Sequence, residues 1–227
     1  MNFVFDVDGT LTPSRDKIDP EFHDFFLNIC HKQTVFIVTG SDYVKTEEQL
    51  GHDICYAVWG VFNCSGNMLT RRNVVMYTND FELTQDELDL LDEEQKKSGF
   101  TVRTGNHIEK RLGAVNFSIV GRNANSVERQ QYKVWDEATN ERVEICRRLN
   151  RLFTRLECVI GGETGIDIFM KGHDKSQIAK YVKPFVFFGD RCEVGGNDHS
   201  IFTVANQAYQ VRDWQETYRV LKAMRIS

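Results

Sequence analysis

The chain has 227 residues, room for one large domain or two modest ones, and its 41% hydrophobic content suits a protein that buries a real core. A formal net charge of -5 gives no electrostatic footprint for nucleic acid or an anionic membrane surface, and no apolar stretch approaches the roughly 20 residues that span a bilayer. The six cysteines (Cys30, Cys55, Cys64, Cys146, Cys158, Cys192) are widely spaced without a C-x-x-C pair, which reads as reduced interior thiols in a cytoplasmic protein and speaks against a zinc site or a disulfide framework.

Met1 to Phe5 and Thr34 to Val38 are short runs rich in Val, Ile and Phe, with a helical pattern from Pro20 to His31 between them. That is a β-α-β unit. From about residue 80 the texture changes. An acidic amphipathic helix ("TQDELDLLDEEQKKSG"), strand-like "VNFSIVG", one long charged helical stretch from Ser126 to Phe153, and strand-like "LECVIGG" and "GIDIF" follow one another. This pattern predicts helices packed on one antiparallel sheet. A helical stretch from Lys175 towards Tyr181 then leads into the run Phe185 to Phe188, which repeats the grammar of the N-terminus. The expectation is an α/β chain whose core, residues 1–79 and 171–227, shares one parallel sheet, with an α+β insertion at residues 80–170.

Asp6 and Asp8 fall where the chain leaves the first strand, and open α/β sheets bind ligands at the carboxyl ends of their strands. One carboxylate there can attack phosphorus and form an aspartyl-phosphate, while a second, two residues on, moves a proton to the leaving group and from the attacking one. Two acids and a phosphate dianion repel one another unless a cation lies among them, and magnesium with its oxygen ligands suits that place. Asp190 after "FVFFG" is the natural further ligand, with Asp198 in "GGNDHS" completing the site or orienting metal waters. Lys175, and Thr39 with Gly40 or Ser41 after the second strand, are candidates to hold phosphoryl oxygens. A calcium loop of the EF-hand type fails on spacing, because Thr10 and Leu11 occupy positions that need an acid or amide and a glycine.

In order, "DVDGTLT", "IVTGSD", "GHDKSQ" and "FFGDRCEVGGND" resemble the four motifs of the haloacid dehalogenase superfamily. The resemblance implies a Rossmann-like core with an inserted α+β cap of the C2 type. It makes Asp6 the nucleophile and a magnesium ligand, and Asp8 the general acid/base and a ligand through its carbonyl. Thr39 becomes the phosphate ligand, Lys175 the neutralising lysine and Asp190 a metal ligand. "DVDGTLTPSRDKI", "GAVNFSIVGRN" and "IGGETGIDIF" are further similar to the eukaryotic-type phosphomannomutases, whose cap grips the non-reacting sugar phosphate. By that likeness Arg15, Arg111, Arg122 and Asp167, with Asn116 close by, bind substrate. Guanidinium forks suit phosphate and a carboxylate suits sugar hydroxyls. Homodimerisation through the cap is implied as well.

Two positions depart from that pattern. Thr104, beside Arg103, stands where the family has an arginine, and Gly165 where it has a serine. A mutase must hold a bisphosphorylated sugar at both ends and keep water off the aspartyl-phosphate, whereas a phosphatase needs one phosphate and admits water. Arg103, one residue away, is a possible substitute for the arginine missing at Thr104. The sequence therefore points to a magnesium-dependent sugar-phosphate phosphotransferase leaning to phosphatase, with phosphomannomutase as the alternative. A receiver-like phospho-binding module or a degenerate structural member are the non-enzymatic rivals.

Overall fold

The computed structural model describes residues 1–225. The chain divides into two compact units, Met1–Asn79 with the chain from Gly172 onward, and Asp80–Lys171. In chain order, the first unit supplies β1 (Asn2–Phe5), α1 (Pro20–Lys32), β2 (Val35–Val38), α2 (Tyr43–Leu50), α3 (His52–Ala57), β3 (Gly60–Asn63), β4 (Met68–Arg71) and β5 (Val74–Thr78). The second supplies α4 (Gln85–Lys97), β6 (Ile108–Arg111), β7 (Ala114–Phe117), α5 (Ser126–Thr139), α6 (Glu141–Leu152), β8 (Leu156–Gly161) and β9 (Gly165–Met170). The return to the first unit adds α7 (Ala179–Val182), β10 (Phe185–Gly189), α8 (His199–Val204), β11 (Gln207–Gln210) and α9 (Trp214–Ala223).

The first unit is built on a seven-stranded sheet of order β11-β10-β1-β2-β3-β4-β5. Its central strands read as unbroken apolar runs because both faces are covered. Phe3 and Phe5 of β1 enter one layer with Phe22, Phe26 and Ile29 of α1 and Leu221 of α9. Val4, pointing the other way, joins Ile178, Val182 and Ile201. β10 divides likewise, Val186 and Phe188 to the first layer, Phe185 and Phe187 to the second. The Phe5 ring stacks on Phe188 at 4.8 Å and meets Phe26 edge-on at 5.0 Å. Such a fully buried Phe contributes roughly 1.5–3 kcal/mol.

β11, β10, β1, β2 and β3 run parallel, so the C-terminal ends of β10, β1 and β2 lie side by side at one edge. β4 and β5 extend the sheet antiparallel, so it is mixed, not wholly parallel. No described helix is long and apolar enough to cross a membrane.

The second unit is an antiparallel four-stranded sheet of order β6-β7-β9-β8. Val115, Phe117, Ile166, Ile168, Leu156 and Cys158 bury one face against Leu91 of α4, Tyr132 of α5 and Leu149 of α6. Two local expectations are corrected here. The stretch from Ser126 to Phe153 is two helices, broken at Asn140, which takes a left-handed conformation (φ 54°). Asp136 holds the break by accepting from both the backbone N–H and the guanidinium of Arg142, each at 2.8 Å. With no Gly or Pro at the join, the periodicity runs through it unmarked. β7, in turn, stops at Phe117, although the Ser118 N–H still donates to the carbonyl of His107, its next partner in the register with β6, and the Ser118 hydroxyl donates to Thr164 O.

Candidate active site

β1 delivers Asp6 to the edge where the parallel strands end, and β10 delivers Asp190 beside it. Lys175 arrives from a 3₁₀ turn (Lys175–Ile178) that Asp174 caps by accepting from the Ser176 N–H at 2.8 Å. The adjoining Gln177 amide fixes that turn to Ser65 O at 2.8 Å. The Lys175 ammonium is 1% exposed and donates to Asp6 Oδ1 at 2.5 Å and Asp198 Oδ1 at 2.7 Å. Asp6, Asp190 and Asp198 each place a carboxylate oxygen within 4.8 Å of the others. One ammonium thus faces three acids.

Burial and the charge of Asp198 push the Asp6 carboxyl up to about 8, even with Lys175 pulling the other way. Burial and Asp198 likewise push Asp190 up to about 6. Burial would lower Lys175, but Asp198 and Asp6 outweigh it and raise it. A hard, oxygen-seeking cation suits this donor set, because it would relieve a repulsion that one lysine leaves standing. Gly9 makes the closeness feasible. It has φ 81°, and a Cβ there would sit 2.7 Å from Cγ of Asp190.

The loop after β1 turns tightly, with the Leu11 and Thr12 N–H groups both donating to Val7 O. Asp8 is half-buried on it, and its Oδ1 accepts from the Arg15 backbone N–H at 2.6 Å and from the Gln49 side-chain amide at 3.0 Å. Arg15 therefore serves the site through its backbone, while the residue itself is exposed and left-handed (φ 62°). Thr39 follows β2 with 1% exposure, its hydroxyl accepting from the Ser41 N–H at 3.1 Å, and Gly40 beside it is exposed.

The second unit gathers a polar constellation on the sheet face opposite its core. Glu109, Asn116 and Asp167 are register partners across β6, β7 and β9. The Asn116 amide donates to Asp167 Oδ1 at 2.6 Å, Arg111 lies 4.0 Å from the same carboxylate, and both Arg111 and Arg122 donate to Glu109. The structure thus brings Arg111, Asn116, Arg122 and Asp167 together, with Glu109 as a member that the sequence reading missed.

It does not bring Arg103 there, which corrects the expected compensation for Thr104. The Arg103 guanidinium donates to the carbonyls of Gln95, Ser98, Phe100 and Val102 and so closes the end of α4. Thr104 is fixed by its backbone, its N–H donating to Val120 O at 2.8 Å. Gly165 abuts Asn116, and a Cβ there would come within 2.7 Å of Asn116 Oδ1.

A parallel-centred sheet that carries Asp6 and Asp190 at its strand ends and takes a four-stranded antiparallel unit as an insertion has the architecture of the haloacid dehalogenase fold, and the chain is an enzyme of that type. Among solved structures it is similar to IMP-bound Plasmodium falciparum IMP-nucleotidase (TM-score 0.68, 15% identity, 99% of this chain and 68% of that one). It is also similar to a haloacid dehalogenase-like hydrolase from Bacteroides thetaiotaomicron (TM-score 0.61, 13% identity, 98% of each chain). The family model for eukaryotic phosphomannomutase matches residues 22–226. The phosphomannomutase of Triticum aestivum is 33% identical over 211 residues, 88% of this chain and 84% of the relative. That of Arabidopsis thaliana is 32% identical over 211 residues, 88% of this chain and 85% of the relative. The chain belongs to the eukaryotic phosphomannomutase family.

Proposed function

We propose that the chain is a magnesium-dependent phosphotransferase that moves the phosphoryl group of a sugar phosphate by way of an aspartyl-phosphate on Asp6. The observation that carries this reading is the buried Lys175 held between Asp6 and Asp198, with Asp190 in reach. An Asp6 carboxylate oxygen bonds to phosphorus as the bond from phosphorus to the sugar oxygen breaks, and Asp8 gives its proton to that departing oxygen. A hydroxyl or water oxygen then attacks the same phosphorus, the bond to Asp6 breaks, and Asp8 takes the attacker's proton. Lys175 and Thr39 stabilise the charge on the transferring group. Asp6, Asp190 and Asp198, with the Asp8 carbonyl, would hold magnesium, which would supply the positive charge that a phosphate needs to approach these acids.

In the second unit Arg111 and Arg122 bind phosphate oxygens and Asn116 and Asp167 the sugar hydroxyls, and in the first unit the exposed Arg15 guanidinium is a separate phosphate ligand. The name shared by the relatives supports interconversion of mannose 1-phosphate and mannose 6-phosphate. Hydrolysis is supported by a specific feature, the commitment of Arg103 to the end of α4 with Thr104 in place of a second arginine. Incubation of mannose 1-phosphate and magnesium, with and without a catalytic hexose 1,6-bisphosphate, separates the two. Mannose 6-phosphate formed only with bisphosphate establishes the mutase, and free phosphate in both establishes the phosphatase. No phosphoryl transfer of either kind, or full turnover in Asp6→Asn, refutes the proposal. The five buried thiols at Cys30, Cys55, Cys146, Cys158 and Cys192 support a cytoplasmic home. A homodimer through the second unit belongs to the same reading by family likeness, and sedimentation tests it.

A further inference from the structure

Gln49 lies at the end of α2, is 4% exposed, and reaches a loop far away in sequence. Its Nε2 stands 3.0 Å from Asp8 Oδ1, 3.2 Å from Thr12 Oγ1 and 3.3 Å from Asp16 O, while its backbone carbonyl accepts from the Ile18 N–H at 2.9 Å. The amide's orientation follows from its neighbours. A carboxylate oxygen and a backbone carbonyl only accept here, so the NH₂ must face them, and a flipped amide would set oxygen against oxygen. The consequence is that Gln49 Oε1 is buried with no hydrogen-bond partner among the described residues. Buried acceptors are rarely left unpaired without a return elsewhere. The return here is at Asp8, whose Oδ1 receives both the Gln49 amide and the Arg15 backbone N–H.

We propose that Gln49 is a positioning residue for proton transfer, which fills Oδ1 of Asp8 with donors and so assigns the transferable proton to Oδ2. An oxygen already receiving two N–H donors has no room for a proton of its own. The proton that Asp8 passes to the departing sugar oxygen, and takes back from the attacking one, therefore resides on the other oxygen in a single orientation. Without Gln49 the carboxyl gains freedom to turn about its bond to Cβ, and part of the population presents the wrong oxygen. This inference rests on the reading of Asp8 as the acid/base.

The test compares a leaving group that needs a proton with one that does not. Single-turnover transfer of phosphate to Asp6 is timed from mannose 1-phosphate, whose alkoxide must be protonated, and from p-nitrophenyl phosphate, whose phenolate leaves without help. Gln49→Met is expected to slow transfer from mannose 1-phosphate about 10- to 100-fold, to leave the half-saturating concentration within about twofold, and to change the p-nitrophenyl reaction less than about threefold. Gln49→Leu, which removes the same donors without adding a charge, is expected to show the same selective loss, and it carries the test if the Met variant does not fold. Equal loss with both substrates, or none with either, in a chain where Asp8→Asn is leaving-group selective overturns the role of Gln49 and leaves that of Asp8 standing. A lack of selectivity in Asp8→Asn overturns both.

Discussion

Lys175 and Asp6 are separated by 169 positions in the chain, yet the lysine Nζ lies 2.5 Å from Asp6 Oδ1 with both side chains almost wholly buried. The pair ties the two sequence-distant halves of the first unit together at the strand ends. It is also incomplete as an electrostatic arrangement, since Asp190 and Asp198 share the same space.

Lys175→Met follows directly. Breaking a buried ion pair from one side costs about 3–5 kcal/mol, because the partner charges remain without compensation. The variant is expected to lose at least about 3 kcal/mol of stability in urea melts without metal and to regain more of it than the wild type when magnesium chloride is added. A variant as stable as wild type without metal would show that the three acids do not depend on the lysine.

Gly9→Ala tests the closeness of the acids. The residue would need a left-handed backbone that alanine adopts at a cost of about 1–3 kcal/mol, and its Cβ would press on the Asp190 carboxylate. Magnesium affinity by titration calorimetry is expected to fall about tenfold, in line with the loss of one well-placed charged contact, while the far-ultraviolet circular dichroism stays the same. Undiminished affinity would remove Asp190 from the ligand set.

What the sequence makes legible here follows from how local each signal is. Asp6, Asp8, Lys175 and Asp190 sit in short runs where an apolar strand or a turn ends in a charge, so a few adjacent residues declare them. Gln49 gives no such sign. It is one amide on a helix, and its target lies 41 positions away. Glu109 is equally silent, an acid on a short strand whose meaning comes from Arg111 and Arg122 closing on it. Arg103 shows the opposite failure, because nearness in sequence to Thr104 suggests substitution where the side chain actually closes a helix end. The α5 to α6 break at Asn140 is set by Asp136 and Arg142, a pair that propensity cannot see.

Glu87 gives the second unit a defined dependence on acid. Burial alone would raise its carboxyl, but the Arg155 guanidinium at 2.7 Å and the Thr84 backbone N–H hold it below the ordinary 4.5. A depressed carboxyl stabilises the fold in full above 4.5 and loses that contribution as pH falls through its folded value. Glu87→Gln is therefore expected to cost about 1–2 kcal/mol at pH 7, discounted for the partial exposure of Arg155. The difference from wild type should vanish in urea melts on the acid side of the folded value. A difference that persists unchanged there would mean that the carboxylate charge contributes nothing.

Arg122 is 24% exposed in its side chain and already ion-paired with Glu109 on the polar sheet face beside Asn116 and Asp167. If that constellation binds the sugar phosphate, Arg122→Ala removes a charge-assisted contact worth about 1.5–3 kcal/mol. KM for mannose 1-phosphate should then rise roughly 10- to 100-fold with kcat changed only a few-fold. p-Nitrophenyl phosphate presents no sugar to these residues, so its hydrolysis should be unaffected, and this separates lost recognition from a damaged fold. Glu109→Gln provides the converse. It keeps the side chain's shape but removes the charge that competes with phosphate for both arginines, so inorganic phosphate is expected to inhibit more strongly in this variant than in wild type. Equal inhibition in both proteins, together with an unchanged KM in Arg122→Ala, would place the substrate grip away from this sheet face.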